Sequence, residues 1–137
     1  MKRLFSTRYT DNAISISMLV LRVALGMMMM VSHGYPKLMT FAQKSGSFPD
    51  PFHIGHMPSM AMAIFAEFFC SVLLMLGLLT RFACIPLIVT MCVALFVSHN
   101  GEIFGAGEKA AVFLVGFIAI LFVGPGKVSL DKVISGK

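Results

Sequence analysis

SMLVLRVALGMMMMVSHGYPKLM, residues 17–39, is an apolar run interrupted by Arg22, His33 and Lys37. Its length is that of a helix crossing a bilayer, roughly 17 to 25 residues. An ionisable side chain at bilayer depth costs about 2.5 to 3.5 kcal/mol on insertion scales, so these side chains are expected to turn toward partners. At about 100° per residue, the steps from Arg22 to His33 return to nearly the same azimuth, and His33 and Lys37 form an i, i+4 pair. The three share one face. Gly26 lies on the same stripe, where a missing side chain lets another helix or a ligand come close.

Composition extends this reading to the whole chain. Of 137 residues, 58% are hydrophobic and 12% charged, and the mean hydropathy is +0.89, outside the range of soluble domains. Such a chain has a lipid-facing exterior and the length of one compact membrane domain, residues 1–137. The net charge of +5 does not mark a nucleic-acid partner, because the basic residues sit at the ends of apolar runs and form no patch. Cys70, Cys84 and Cys92 lie inside apolar runs without metal-ligand or dithiol spacing and read as small buried residues. Met27 to Met30 point in four directions around a helix and cannot form one ligand set, so they read as packing.

Along the chain, a polar leader with Lys2, Arg3 and Arg8 precedes a first span over about 14–39, expected to be retained because no small-residue cleavage site follows it. Residues 40–57 form a loop with Gly46, Pro49, Pro51 and Gly55, in which Phe41, Phe48, Phe52 and Ile54 are placed to cap the bundle and His53 and His56 make an i, i+3 pair. A second span over 59–80 carries Glu67 near the midplane. Arg81 marks a minimal turn into a third span over 82–99, ending at His99, so these two spans are antiparallel neighbours. Glu108 opens a fourth span over 108–123, stopped by Gly124-Pro125-Gly126. The amphipathic tail 127–137 reads as lying on the membrane surface.

Lys2, Arg3, Arg8, Arg81, Lys127, Lys132 and Lys137 fall on one side of this topology, and Lys44 on the other apart from the helix-end Lys37 and Lys109. The positive-inside rule then places both termini in the cytoplasm. The expected architecture is an all-α, up-down four-helix bundle, multi-pass in a bacterial inner membrane. It gathers Arg22, His33, Lys37, Glu67, His99 and Glu108 into a near-neutral intramembrane cluster, with Arg22 reaching toward Glu67 from the cytoplasmic side. Each member also has a plainer reading. Arg22 and Glu67 suit a structural ion pair, His33 and His99 suit histidines bonding a helix-end carbonyl, and the same two are the weak candidates for a metal.

The pattern R-x₃-G-x₆-H-G-x-x-K-L at Arg22 to Leu38 is followed by Ala66-Glu67, by L-x-x-L-G-L-L-T-R ending at Arg81, by G-x-G-E at Gly105 to Glu108 and by G-P-G-x-x-S-L-D at Gly124 to Asp131. In this order and spacing it resembles the DoxX family over essentially the whole chain. The resemblance implies a four-helix membrane protein and a redox-associated subunit handling a quinone, since the family takes its name from similarity to a subunit of an archaeal thiosulfate:quinone oxidoreductase. It also implies soluble or membrane redox enzymes as partners, with a homo-oligomer as a further candidate assembly. Two departures stand out: Phe68 to Ser71 replace the Gly pair that many members carry after Ala66-Glu67, and the loop with His53 and His56 is longer than usual. An anion or weak-acid transporter, or a non-catalytic scaffold for soluble redox enzymes, are the alternatives. No catalytic residue is assigned, and no dinucleotide or haem-attachment motif is present in the sequence.

Overall fold

Thr10 starts the first helix: its hydroxyl accepts the Ala13 amide at 3.1 Å, closing the N-terminal turn three residues before the expected boundary. Helix α1 then runs Asp11–Met39. The structure is a computed structural model describing residues 7–136, all of its regular elements helical; Lys2, Arg3 and Lys137, which enter the orientation argument, lie outside the described residues. A short helix α2, Phe41–Lys44, follows. Helix α3 spans His56–Leu76 and α4 spans Thr80–Ser98. Helix α5 spans Glu108–Val123, and α6, Leu130–Ser135, forms the tail, with the Ser129 hydroxyl as its cap.

Three of these helices, α1, α3 and α4, are long and apolar enough to cross a membrane. Helix α5 has 16 residues, about 24 Å at 1.5 Å per residue, and is shorter than a hydrocarbon core of about 30 Å. Both boundaries of α3 differ from those expected. Helix α3 begins at His56 because Pro58 sits in its first turn, where a missing N–H has no helical partner to lose. It ends at Leu76, short of Thr80, because Gly77 adopts φ +67°, and the amide of Leu78 donates to the Leu73 carbonyl at 2.9 Å. That left-handed stop suits glycine.

The helices pack antiparallel around Met29, Cys70, Leu74, Cys84, Leu87, Leu95, Phe117 and Ile120, all essentially without exposure. Outward, the chain presents Val20, Met28, Phe69, Phe82, Ile85, Phe96, Val115 and Phe122. An exterior this apolar matches a lipid surface rather than water. The ends differ in character. The termini end holds the Gly77–Arg81 turn and the tail, and the loop end holds residues 40–55 and the 99–107 turn.

Candidate functional site

Three of the long helices widen locally. Met30–Gly34 in α1, Phe65–Cys70 in α3 and Val93–Ser98 in α4 are π-helical turns, a rare geometry that clusters at functional sites. The first two meet. A Cβ on Gly34 would lie 2.5 Å from the Glu67 carbonyl oxygen and 2.7 Å from the Phe68 amide nitrogen. Glycine there lets the backbones of α1 and α3 touch, and the contact sets Glu67 beside Lys37 one turn further along α1.

Lys37 donates to the Glu67 carboxylate. Glu67 is 4% exposed at its side chain and Lys37 27%, so the pair sits at the edge of the protein interior, with the Lys37 ammonium also 5.9 Å from the Phe48 ring centroid. Beside it opens a cavity of about 430 Å³, within the size range of small-molecule sites. Met62 and Phe65 of α3 face Ile85, Val89, Val93 and Val97 of α4 across it. Phe65, Ile85, Val89 and Val97 are themselves exposed, so the mouth opens sideways on the lipid-facing surface. Pro86 also lines the cavity, and the Thr90 hydroxyl bonds back to its carbonyl at 2.9 Å, a pairing that bends helices.

The loop forms a braced roof. Phe48, Pro49, Pro51 and Phe52 line the cavity. Asp50 holds them in place by accepting the Ile54 amide at 3.0 Å, the Gly55 amide at 2.8 Å and the Ser59 hydroxyl at 2.8 Å. Desolvation pushes the Asp50 carboxyl up, but the Ser59 hydroxyl and the two amides outweigh it and hold the group below the usual carboxylate range. His56 Nδ1 pairs with the Phe48 carbonyl at 2.6 Å. One proline-rich turn thus becomes a rigid cap.

A family model for DoxX matches residues 17–100, more than half of the chain, and these residues contain both members of the ion pair and every wall of the cavity. The chain belongs to the DoxX family. No curated protein and no solved structure matches it.

Within this DoxX membrane protein the six residues singled out from sequence do not converge on one point. Lys37 and Glu67 join at the cavity. His33 is within electrostatic reach of both and of Lys109, but its ring turns edge-on to Phe113 of α5 at 6.0 Å and it does not line the cavity. His99 is half-buried after the end of α4, and Glu108 is exposed in the first turn of α5, where a carboxylate complements the helix dipole. Arg22 does not reach toward Glu67. It is 2% exposed and donates through Nη2 to the Val128 carbonyl of the tail, packed so closely under Gly77 that a Cβ there would collide with its guanidinium. Among the described residues, its Nε and Nη1 have no hydrogen-bond partner.

Among the described residues, no three His, Cys, Asp or Glu side chains converge as a metal site. Asp131, noted only as part of a motif, has a definite task. Its carboxylate accepts the Leu79 amide at 2.7 Å and the Thr80 amide at 2.9 Å, capping α4 from the tail. Partial burial pushes this carboxyl up, and the amides of Thr80 and Leu79 with the charge of Arg22 outweigh that, leaving it below the usual carboxylate range. Sequence carried a faint signal for both acids, Pro-Asp-Pro and Ser-Leu-Asp being turn and cap chemistry. It carried none for the π turns.

Proposed function

We propose that this DoxX protein is a multi-pass protein of a bacterial plasma membrane that binds a hydrophobic small molecule with a polar head, a quinone being the candidate, and serves as a redox-associated subunit. The observation that carries the reading is the cavity of about 430 Å³ with apolar walls, a lateral mouth and one ion pair at its head. Helix α5 completes a four-span bundle in this reading, its short length compensated by the 99–107 turn. The positive-inside bias puts both termini in the cytoplasm and the cavity in the outer half.

The residues present fit a quinone. Met62, Phe65, Ile85, Val89, Val93 and Val97 suit a ring and an isoprenoid chain. The Lys37 ammonium supplies a donor for a carbonyl oxygen, and the Glu67 carboxylate an acceptor for a hydroxyl. A bound quinone would supply two-electron chemistry coupled to proton uptake, with electrons from a partner enzyme. Lys37 and Glu67 hold opposite charge across a short gap, so a proton moving between them leaves the site neutral. The charges of Glu67 and Lys37 both reach His33. At the opposite end, Arg22 and the tail pack tightly beneath Gly77, which favours a ligand taken from the bilayer over a through-channel for an anion.

Mass spectrometry of protein released gently from its own membrane tests the proposal, scoring small molecules and co-purifying chains. A quinone or related amphiphile should accompany the wild type and be lost in the Lys37→Met, Glu67→Leu double variant. Equal ligand content in both would overturn it, and substrate-dependent flux in vesicles holding only this protein would establish the transporter instead.

A further inference from the structure

A second depression lies at the termini end. It has a volume of about 580 Å³ and is lined by Arg81 and Phe82 of α4, Leu79 of the preceding turn, Pro125 and Gly126, and Asp131, Lys132 and Ser135 of the tail helix. It is a groove with two cations on its rim. Arg81 is anchored from below, Nη2 donating to the Phe122 carbonyl at 3.4 Å, so its guanidinium stays at the groove and keeps other N–H groups to offer. Lys132 comes from a different element, exposed on α6. The Asp131 carboxylate, which also lines the groove, is engaged by the Leu79 and Thr80 amides, and the charge of the buried Arg22 acts on it. The local balance is positive.

Apolar surface continues from this groove. Leu79 and Phe82 are each about half exposed, and Ile85 and Val89 follow on the same outward face of α4, at the i, i+3, i+7 spacing of a helical stripe. From these placements we infer that the groove seats the phosphate headgroup of an anionic membrane lipid between Arg81 and Lys132, with its acyl chains running along Phe82, Ile85 and Val89. A free phosphate compound would use the two cations but not the stripe. The inference rests on the membrane placement proposed above; its headgroup groove shares no residue with the outer cavity, while Ile85 and Val89 of the stripe also line that cavity's mouth.

The test is native mass spectrometry of the full chain in nanodiscs of phosphatidylcholine containing a minor share of phosphatidylglycerol. The wild type should retain one phosphatidylglycerol in preference to phosphatidylcholine. A basic side chain beside an anionic surface contributes about fivefold in affinity, so the Arg81→Gln, Lys132→Gln variant should lose about 25-fold. Arg81→Lys with Lys132→Arg keeps both charges and should restore retention, separating lost charge from lost fold. Glu67→Gln, which perturbs only the outer cavity, should retain the lipid even if the outer ligand is gone. The proposal is overturned if wild type and the Gln variant retain phosphatidylglycerol equally, if wild type holds phosphatidylcholine as well, or if soluble glycerol 1-phosphate displaces the lipid at matched concentration.

Discussion

Removing Lys37 while keeping Glu67 leaves a carboxylate that is 4% exposed without its cation. Breaking a buried pair from one side costs roughly 3 to 5 kcal/mol, and because Lys37 keeps 27% of its side-chain surface the low end, about 3 kcal/mol, is expected for Lys37→Met. The reverse change is milder. In Glu67→Leu the lysine stem can carry its charge outward to the interface, so about 1 kcal/mol is expected. The double variant replaces the pair by apolar volume and should lie within about 1 kcal/mol of wild type, giving a coupling of about 3 to 5 kcal/mol. Equilibrium unfolding in mixed micelles reads these differences through thiol labelling, since Cys70 and Cys84 are fully buried in the folded chain. Additivity of the two single changes within about 0.5 kcal/mol would refute the reasoning, because uncoupled residues add.

Four further outcomes are expected. Gly34→Val should destabilise by about 1 to 3 kcal/mol, since its Cβ meets rigid Glu67 backbone; the same unfolding assay measures it, and an unchanged midpoint would mean the π turns do not touch. Asp131→Asn should cost about 0.5 to 2 kcal/mol of cap stability, seen as faster hydrogen exchange at Leu79 and Thr80. The Asp131 carboxyl lies below its usual range when folded, so its contribution is present above the unfolded value near pH 4 and is lost as pH falls further; exchange protection that rises on acidification would contradict it. A membrane-impermeant maleimide on intact cells should label Lys44→Cys and leave Lys132→Cys untouched, and the opposite pattern would invert the topology.

Much of the architecture was legible in order along the chain. Spans need only a run of apolar residues of sufficient length, and Pro58 and Gly124-Pro125-Gly126 punctuate them by local backbone chemistry, so elements could be read within a few residues; the stop at Gly77 was read through. The site was legible in part. Lys37 and Glu67 stood out because a charge in an apolar run is costly wherever its helix packs, but the partner of each depends on helix rotation. One face shared by Arg22, His33 and Lys37 held for an ideal helix; the π turn at Met30–Gly34 lies between Arg22 and Lys37 and shifts that register.

Hydropathy and turn residues alone thus determined a helical membrane chain with ionisable groups in its apolar runs, because the free energy of transferring each residue to lipid is a local property; the DoxX resemblance came from the order and spacing of the motifs. Tertiary structure alone decided that Lys37 pairs with Glu67, that Arg22 serves the tail, that residues 48–52 roof a cavity and that Asp131 caps α4. Those outcomes depend on which backbones approach, on three unusual turns, and on contacts such as Val128 with Arg22 that span 106 positions of chain. No periodicity in a sequence encodes that distance.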